Sequence, residues 1–280
     1  MKIFLLLTIY LIFNCSLASE QLLFCSPSQN CACPEKTMEL KANYYLDQED
    51  FPGTLIRCHD FSGSFQNPLI LSPACLGNSP AACDPCVDTS TPGGKYYSQV
   101  LKNFPKGCGY AWKKFNTPAF KETVKEFLKS GKVLCSKRHQ SMCTSATFLA
   151  FLMKAKELVK ERKLTLEQVE QWADLKGPVW TILNAQARPD LLLQEMNLGE
   201  GRTLRQKEIP TDNWPGQGDL VQIWRKDRSG HSVVFSNLLK SPDGKVVGLC
   251  YWASNKSTNG YGEKCEPIEK VDRLIAARFK

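Results

Sequence analysis

The sequence predicts an α+β protein, with helices first, an antiparallel sheet after them, and a cysteine-rich region in front. Three observations predict it. Between Asn116 and about Asp190, apolar residues recur at helical spacing between capping signals. After Pro210 the period changes to two, and short runs rich in Val, Ile, Leu or aromatics alternate with Gly, Asp, Ser and Pro. Before about residue 95 the chain is rich in Cys, Pro, Ser, Asn and Gly and holds only short apolar runs.

In chain order, residues 1–18 read as a secretory signal peptide. Lys2 supplies the charge, residues 3–13 are apolar, and Ser16-Leu17-Ala18 offers a small-residue cleavage point. The apolar run is short for a membrane span. Ile12-Phe13-Asn14 lacks the small residue that lipid attachment at Cys15 expects. The expected location is therefore secreted or periplasmic. Cleavage after Ala18 removes Cys15 and leaves 12 of the 13 cysteines, which in an exported chain read as disulfides.

Residues 19–95 are expected to be a loop-rich, disulfide-stapled region, holding Cys25, Cys31, Cys33, Cys58, Cys75, Cys83 and Cys86. Cys83-Asp84-Pro85-Cys86 has redox spacing but no strand–helix context, so it reads as a structural disulfide. Zinc on Cys83 and Cys86 with Cys31, Cys33, Cys58 and His59 is the less favoured alternative. Thr89-Ser90-Thr91-Pro92-Gly93-Gly94 reads as a linker into a main domain over residues 96–280.

There Thr117 and Pro118 start a helix with Phe120, Val124, Phe127 and Leu128 on its apolar stripe, ended by Gly131. A second helix begins near Ser141–Thr144. Its apolar residues, from Ala146 to Val159, cover much of the circumference, so its first half should be buried. Thr165 and Gln168 form a capping box opening a third helix. Gly177-Pro178 begins a short helical stretch, and Asp190 is a cap for another turn. Three strands are expected over Gly218–Trp224, Ser229–Phe235 and Tyr251–Asn255, with a tight turn at Ser241–Gly244 and a last strand over Asp272–Phe279.

The chain has 280 residues, 42% apolar, and a net charge of +8. That supports a packed core and excludes low-complexity disorder as the default. The basic balance favours anionic partners such as cell-wall polymers, with solubility the plain alternative. Lys and Arg are scattered without aromatic interleaving, so no nucleic acid is expected.

The chemistry centres on three residues. Cys143 heads a helix, where N–H groups and the helix dipole favour a thiolate. His231 opens a strand after Arg228-Ser229-Gly230, a rigid place for a base. Asn255, at the end of the next strand, offers an amide oxygen to the second imidazole nitrogen. His139 and Gln140, just before Cys143, are candidates for the same cleft, Gln140 as an oxyanion donor. Ser254 is a further polar candidate. Each has a plainer reading: a cysteine as half of a disulfide, a strand His as structural, Ser254 and Asn255 as turn residues. The case rests on their order, Cys on a helix, His on a strand, polar residue on a strand.

Cys143-Thr144-Ser145-Ala146-Thr147-Phe148-Leu149, Gly218-Asp219-Leu220-Val221-Gln222-Ile223-Trp224 and Gly230-His231-Ser232-Val233-Val234-Phe235 together resemble papain-like cell-wall hydrolases of the NlpC and CHAP type. The resemblance covers roughly residues 108–279. It implies a papain-like fold, Cys143 as nucleophile, His231 as base and a third polar residue within Trp252–Asn255, for which Asn255 is chosen. It implies amide bonds of peptidoglycan as substrate, no cofactor and no metal. Trp214, with Trp172 and Trp180, is a candidate for stacking on sugar rings in a groove shaped by the helical insert from Thr165 to about Asn197, with buried packing the favoured alternative for each. The expected protein is a monomer that does not span a membrane. A peptidase acting on protein and a non-catalytic, disulfide-rich cell-surface binding protein are the alternatives. Asn255-Lys256-Ser257 is a glycosylation sequon by pattern, and a glycan there would crowd the site, which favours a bacterial exported protein.

Overall fold

The computed structural model describes residues 20–25, 37–41, 54–60, 91–111, 118–133, 135, 141–210, 213–240 and 245–280. The proposed signal peptide, Thr117, the turn at Ser241–Gly244 and most cysteines of the N-terminal region lie outside these residues. The described chain is α+β, with helices packed on a largely antiparallel sheet.

The N-terminal region contributes β1 (Glu20–Cys25), β2 (Thr37–Lys41) and β3 (Thr54–Asp60). Loops were expected there. The runs Leu22-Leu23-Phe24 and Leu55-Ile56 are too short to declare themselves, yet β1 and β3 pair over six positions, from Glu20↔His59 to Cys25↔Thr54.

The expected linker is also structured from Thr91 onward. Thr91 caps α1 (Pro92–Asn103) by accepting from the Gly94 N–H, and Pro92 opens the first turn. The boundary placed at residue 95 thus falls inside a helix. A two-residue strand β4 (Gly107–Cys108) follows, then α2 (Pro118–Ser130), which buries Phe120, Val124 and Phe127 and ends at Gly131 with φ +73°.

Next comes α3 (Cys143–Lys160), whose first eleven residues are all buried. A helix apolar on all sides must be covered all round. It packs on the sheet on one side, and α2 and α4 (Leu166–Trp172) meet it elsewhere. The capping box on α4 is complete, with Thr165 and Gln168 each bonding the other's backbone. After α5 (Pro178–Trp180) the chain widens into a π-helical turn over Thr181–Gln186. Arg188, rather than Asp190, then caps α6 (Pro189–Glu195), and Asp190 sits in the first turn holding the Arg188 guanidinium at 2.8 and 2.6 Å.

The sheet is completed by β5 (Gly199–Arg205), β6 (Leu220–Arg225), β7 (Gly230–Lys240), β8 (Val246–Asn255), β9 (Gly260–Pro267) and β10 (Val271–Phe279). One path runs β2-β3-β1-β7-β6-β10-β5, and β8, β9 and β4 extend from the other edge of β7. Alternation divides the core. Leu220, Val234, Trp252 and Ala277 face the helices, while Val221, Val233, Phe235 and Tyr251 form a second cluster on the opposite face. Cys250 and Cys265, directly opposite in the β8–β9 ladder, are joined by a disulfide, and Cys108–Cys135 ties β4 to the segment before α3.

Candidate active site

His231 stands second in β7, and Asn255 ends β8. The β7–β8 ladder begins at Val234↔Trp252. Continuing its register sets residue 231 opposite residue 255, where side chains rather than backbone join the strands. His231 Nε2 and Asn255 Oδ1 are 2.7 Å apart. An amide oxygen can only accept, so Nε2 carries the proton and Nδ1 presents a lone pair. Nδ1 makes no hydrogen bond to a described residue. The Gly before this His has a packing reason: a Cβ at 230 would meet Gln222 Nε2 at 2.7 Å and the Trp224 ring at 3.1 Å.

The imidazole is 8% exposed and its pKa is pushed down to about 3. Burial is the chief cause, and the positive charge of Arg225 adds to it; the Asn255 hydrogen bond opposes, and Lys264 lowers it further. His231 is thus a neutral base at physiological pH. The Tyr251 ring lies edge-on to it, with centroids 5.3 Å apart. Arg225 is engaged by a buried carboxylate: its Nε and Nη2 donate to Glu266 Oε2 at 2.9 and 2.5 Å.

Cys143 is the one unpaired cysteine among the described side chains and is 5% exposed. It is the first residue of α3, and Met142 supplies no side-chain cap, so first-turn N–H groups there lack an intrahelical acceptor. The helix start is pinned to the end of β8. Ser141 Oγ donates to Ser254 Oγ at 2.7 Å, and Ser254 Oγ donates to the Ser141 carbonyl at 3.0 Å. The β4 loop adds backbone bonds from Ser141 N to Gly109 O and from Ala111 N to Ser141 O. Cys143 therefore arrives at the same strand end as His231 and Asn255.

The thiol and the imidazole share no hydrogen bond among the described residues; the polar atom paired with Cys143 Sγ is Thr144 Oγ1, at 3.9 Å. Strand alternation explains this. Ser232 and Ser254 point to the face that α3 covers, and His231 and Asn255 to the other. The two halves can approach only around the strand ends, where the β7–β8 ladder has stopped.

A cavity of about 390 Å³ opens beside His231 and Asn255, and Cys143 does not line it. Tyr110 connects the two. It lines the cavity, and its phenol pKa is raised first by burial, then by the Cys143 sulfur, with Arg225 opposing.

Several expected site residues have other roles. Ser254 is fully buried and serves as the tie to Ser141, not as a substrate contact. Trp214 is 2% exposed and packed in the second core cluster, with the Arg278 guanidinium 4.2 Å from its ring centre. It is absent from the cavity wall because its neighbours lie at the opposite end of β6. His139 and Gln140 lie outside the described residues. Asn255 is 5% exposed with its amide nitrogen directed at Ala253 O, so the acceptor side chain of the sequon is not presented to solvent. Sequence reasoning missed Tyr110, Arg225, Lys256 and Lys264. Of these, Lys256 alone had a local signal, its place beside Asn255.

Among the described residues no group of three or more His, Cys, Asp and Glu could hold a metal, and no helix is long and apolar enough to cross a membrane. No family model, curated protein or solved structure matches the chain.

Proposed function

We propose that this chain is an exported thiol hydrolase of papain-like type, cleaving amide bonds in peptidoglycan as an endopeptidase or amidase. The observation that carries the reading is the pinned strand end: an unpaired cysteine heads a helix tied through Ser141 and Ser254 to the strand that ends in Asn255, which orients a neutral His231. The peptidoglycan substrate rests on the family resemblance and the +8 net charge.

In the proposed reaction Cys143 and His231 are brought together around the strand ends, Sγ attacks the amide carbonyl, and the thiol proton passes to Nδ1 of His231. Negative charge forms on the carbonyl oxygen and is met by N–H groups of the first turn of α3. The imidazolium then protonates the leaving amine, the C–N bond breaks, and a thioester remains. Water, deprotonated by His231, hydrolyses it and restores the thiol. Asn255 holds the Nε2 proton throughout, so Nδ1 is the working nitrogen at each step.

The test is a digest of purified peptidoglycan by the native protein and by Cys143→Ala, read as newly released amines and as fragments by mass spectrometry. The native protein should release both. Cys143→Ala should lose at least about a thousandfold in rate with its unfolding midpoint nearly unchanged. Retained hydrolysis in the variant rules out the mechanism. Cleavage of a protein substrate with none of peptidoglycan moves the assignment to a peptidase.

A further inference from the structure

The cavity beside His231 has a lopsided charge. Three cations line it, Arg225, Lys256 and Lys264, and no acidic side chain does. Arg225 is already paired, because Glu266 takes two of its nitrogens. Lys256 and Lys264 differ: neither has an ion pair or side-chain hydrogen bond with a described residue.

Their placement follows from the β8–β9 hairpin. Lys256 is the first residue after Asn255, exposed at the turn. Lys264 is half-buried on β9 directly opposite Tyr251, and cross-strand partners point to the same face. That is the face on which the Tyr251 ring meets His231. The two ammonium groups thus flank the His–Asn pair. Clustering like charges costs free energy in the free protein, and a bound anion relieves it. An uncharged peptide would leave both lysines unanswered.

We propose that Lys256 and Lys264 recognise a carboxylate on the substrate, adjacent to the bond being cleaved, so that the substrate class is a peptide-like amide bearing a free carboxylate. This rests on the thiol-hydrolase reading of Cys143 and His231. It makes the pair specificity determinants, acting on the substrate's charge rather than on its reacting carbonyl. A flanking carboxylate enters a cavity with no competing acid in its wall, and the attraction weakens with added salt.

The test uses two alkylating probes of nearly equal size, iodoacetate and iodoacetamide, which differ by the carboxylate. Each forms an S–C bond at Cys143 with loss of iodide. The readout is the ratio of their labelling rates at the Cys143 peptide, by mass spectrometry of the native full chain. The ratio cancels general changes in thiol reactivity. In Lys256→Gln/Lys264→Gln it should fall about 5- to 10-fold, and in each single variant about 2- to 4-fold. In the wild type it should fall as salt is raised from low to molar concentration. A ratio equal in wild type and double variant overturns this inference and leaves the hydrolase reading standing. Failure of both reagents to label Cys143 in the native protein overturns the hydrolase reading, and the inference with it. A second arm compares digestion of native peptidoglycan with peptidoglycan whose carboxyls have been amidated. Preference for the native polymer in the wild type, lost in the double variant, supports the assignment; equal digestion of both by the wild type overturns it.

Discussion

Ser141 and Ser254 are 113 positions apart in sequence, yet they exchange two hydrogen bonds, at 2.7 and 3.0 Å, in a fully buried setting. The contact decides where the thiol stands. Ser141 lies just ahead of the first turn of α3, and Ser254 just ahead of Asn255, so one pair of hydroxyls couples helix start to strand end. Ser254→Ala removes one acceptor from the Ser141 hydroxyl and one donor from its carbonyl, which among the described residues keeps only the Ala111 N–H. It should cost about 1–3 kcal/mol, read as a shifted urea midpoint with unchanged slope. It should also reduce the rate per folded molecule, although Ser254 reaches no substrate. A stability loss with an unaltered rate would separate the tie from the chemistry.

Asn255 sets the tautomer, and two substitutions expose that role. Asn255→Ala leaves the buried Nε2 proton without an acceptor and frees the ring to turn. Its rate loss should be smaller than that of His231→Ala, for which about 10²- to 10⁴-fold is expected. Asn255→Asp places a carboxylate against the imidazole and favours its charged form. The His231 pKa should rise from about 3. The acid limb of the kcat/KM profile should move to higher pH. An acid limb that stays in place would remove His231 as the base.

The helices were legible where their signals are local. Thr165 and Gln168 are three residues apart and needed nothing else, and Cys143–Lys160 shows its burial in its own composition. β5 and β9 were not legible. Gly199-Glu200-Gly201-Arg202-Thr203-Leu204-Arg205 buries only Gly199 and Leu204, and its strand form is imposed by β10. Gly260–Pro267 is bounded by Gly and Pro and owes its pairing to β8 and the Cys250–Cys265 bridge. The site divides in the same way. The pairing of His231 with Asn255 followed from strand order. Tyr110, Arg225 and Lys264 come from three separate elements and meet only through the fold. Trp214 takes the core packing that was the favoured alternative to sugar stacking: two arginines and the second core enclose it.

The buried imidazole also makes stability depend on pH in a defined window. His231 titrates at about 3 when folded and near 6.5 when unfolded. Between these values the unfolded chain holds a proton that the folded chain does not. Stability is therefore complete above about pH 6.5 and falls as the pH drops towards 3, by up to about 1.4 kcal/mol per pH unit from this residue. His231→Gln should flatten that part of the curve. The measurement is the difference in urea-unfolding free energy between wild type and variant from pH 7 to pH 4. A difference that does not change over this range would mean that the imidazole is not held neutral.

Gly218 and Asp219 carry part of the family resemblance, and their contacts are architectural. Asp219 is 1% exposed and accepts from Arg278 Nε at 2.9 Å, Arg278 Nη2 at 2.9 Å and Gly216 N at 2.7 Å. It clamps the end of β10 to the start of β6. His231 pairs with Ile223, four residues along β6 and about 13 Å away. Gly218 has φ +85°, and a Cβ there would lie 2.3 Å from the Gly93 carbonyl oxygen of α1. Backbone strain and a backbone clash should together make Gly218→Ala cost at least about 1–3 kcal/mol. Asp219→Asn weakens the Arg278 clamp and should cost about 1–3 kcal/mol. In both variants the rate per folded molecule and the iodoacetamide labelling of Cys143 should match the wild type, because the change lies at the far end of β6. A fall in rate at full stability would instead make Asp219 part of the reaction and require a path from that clamp to the imidazole.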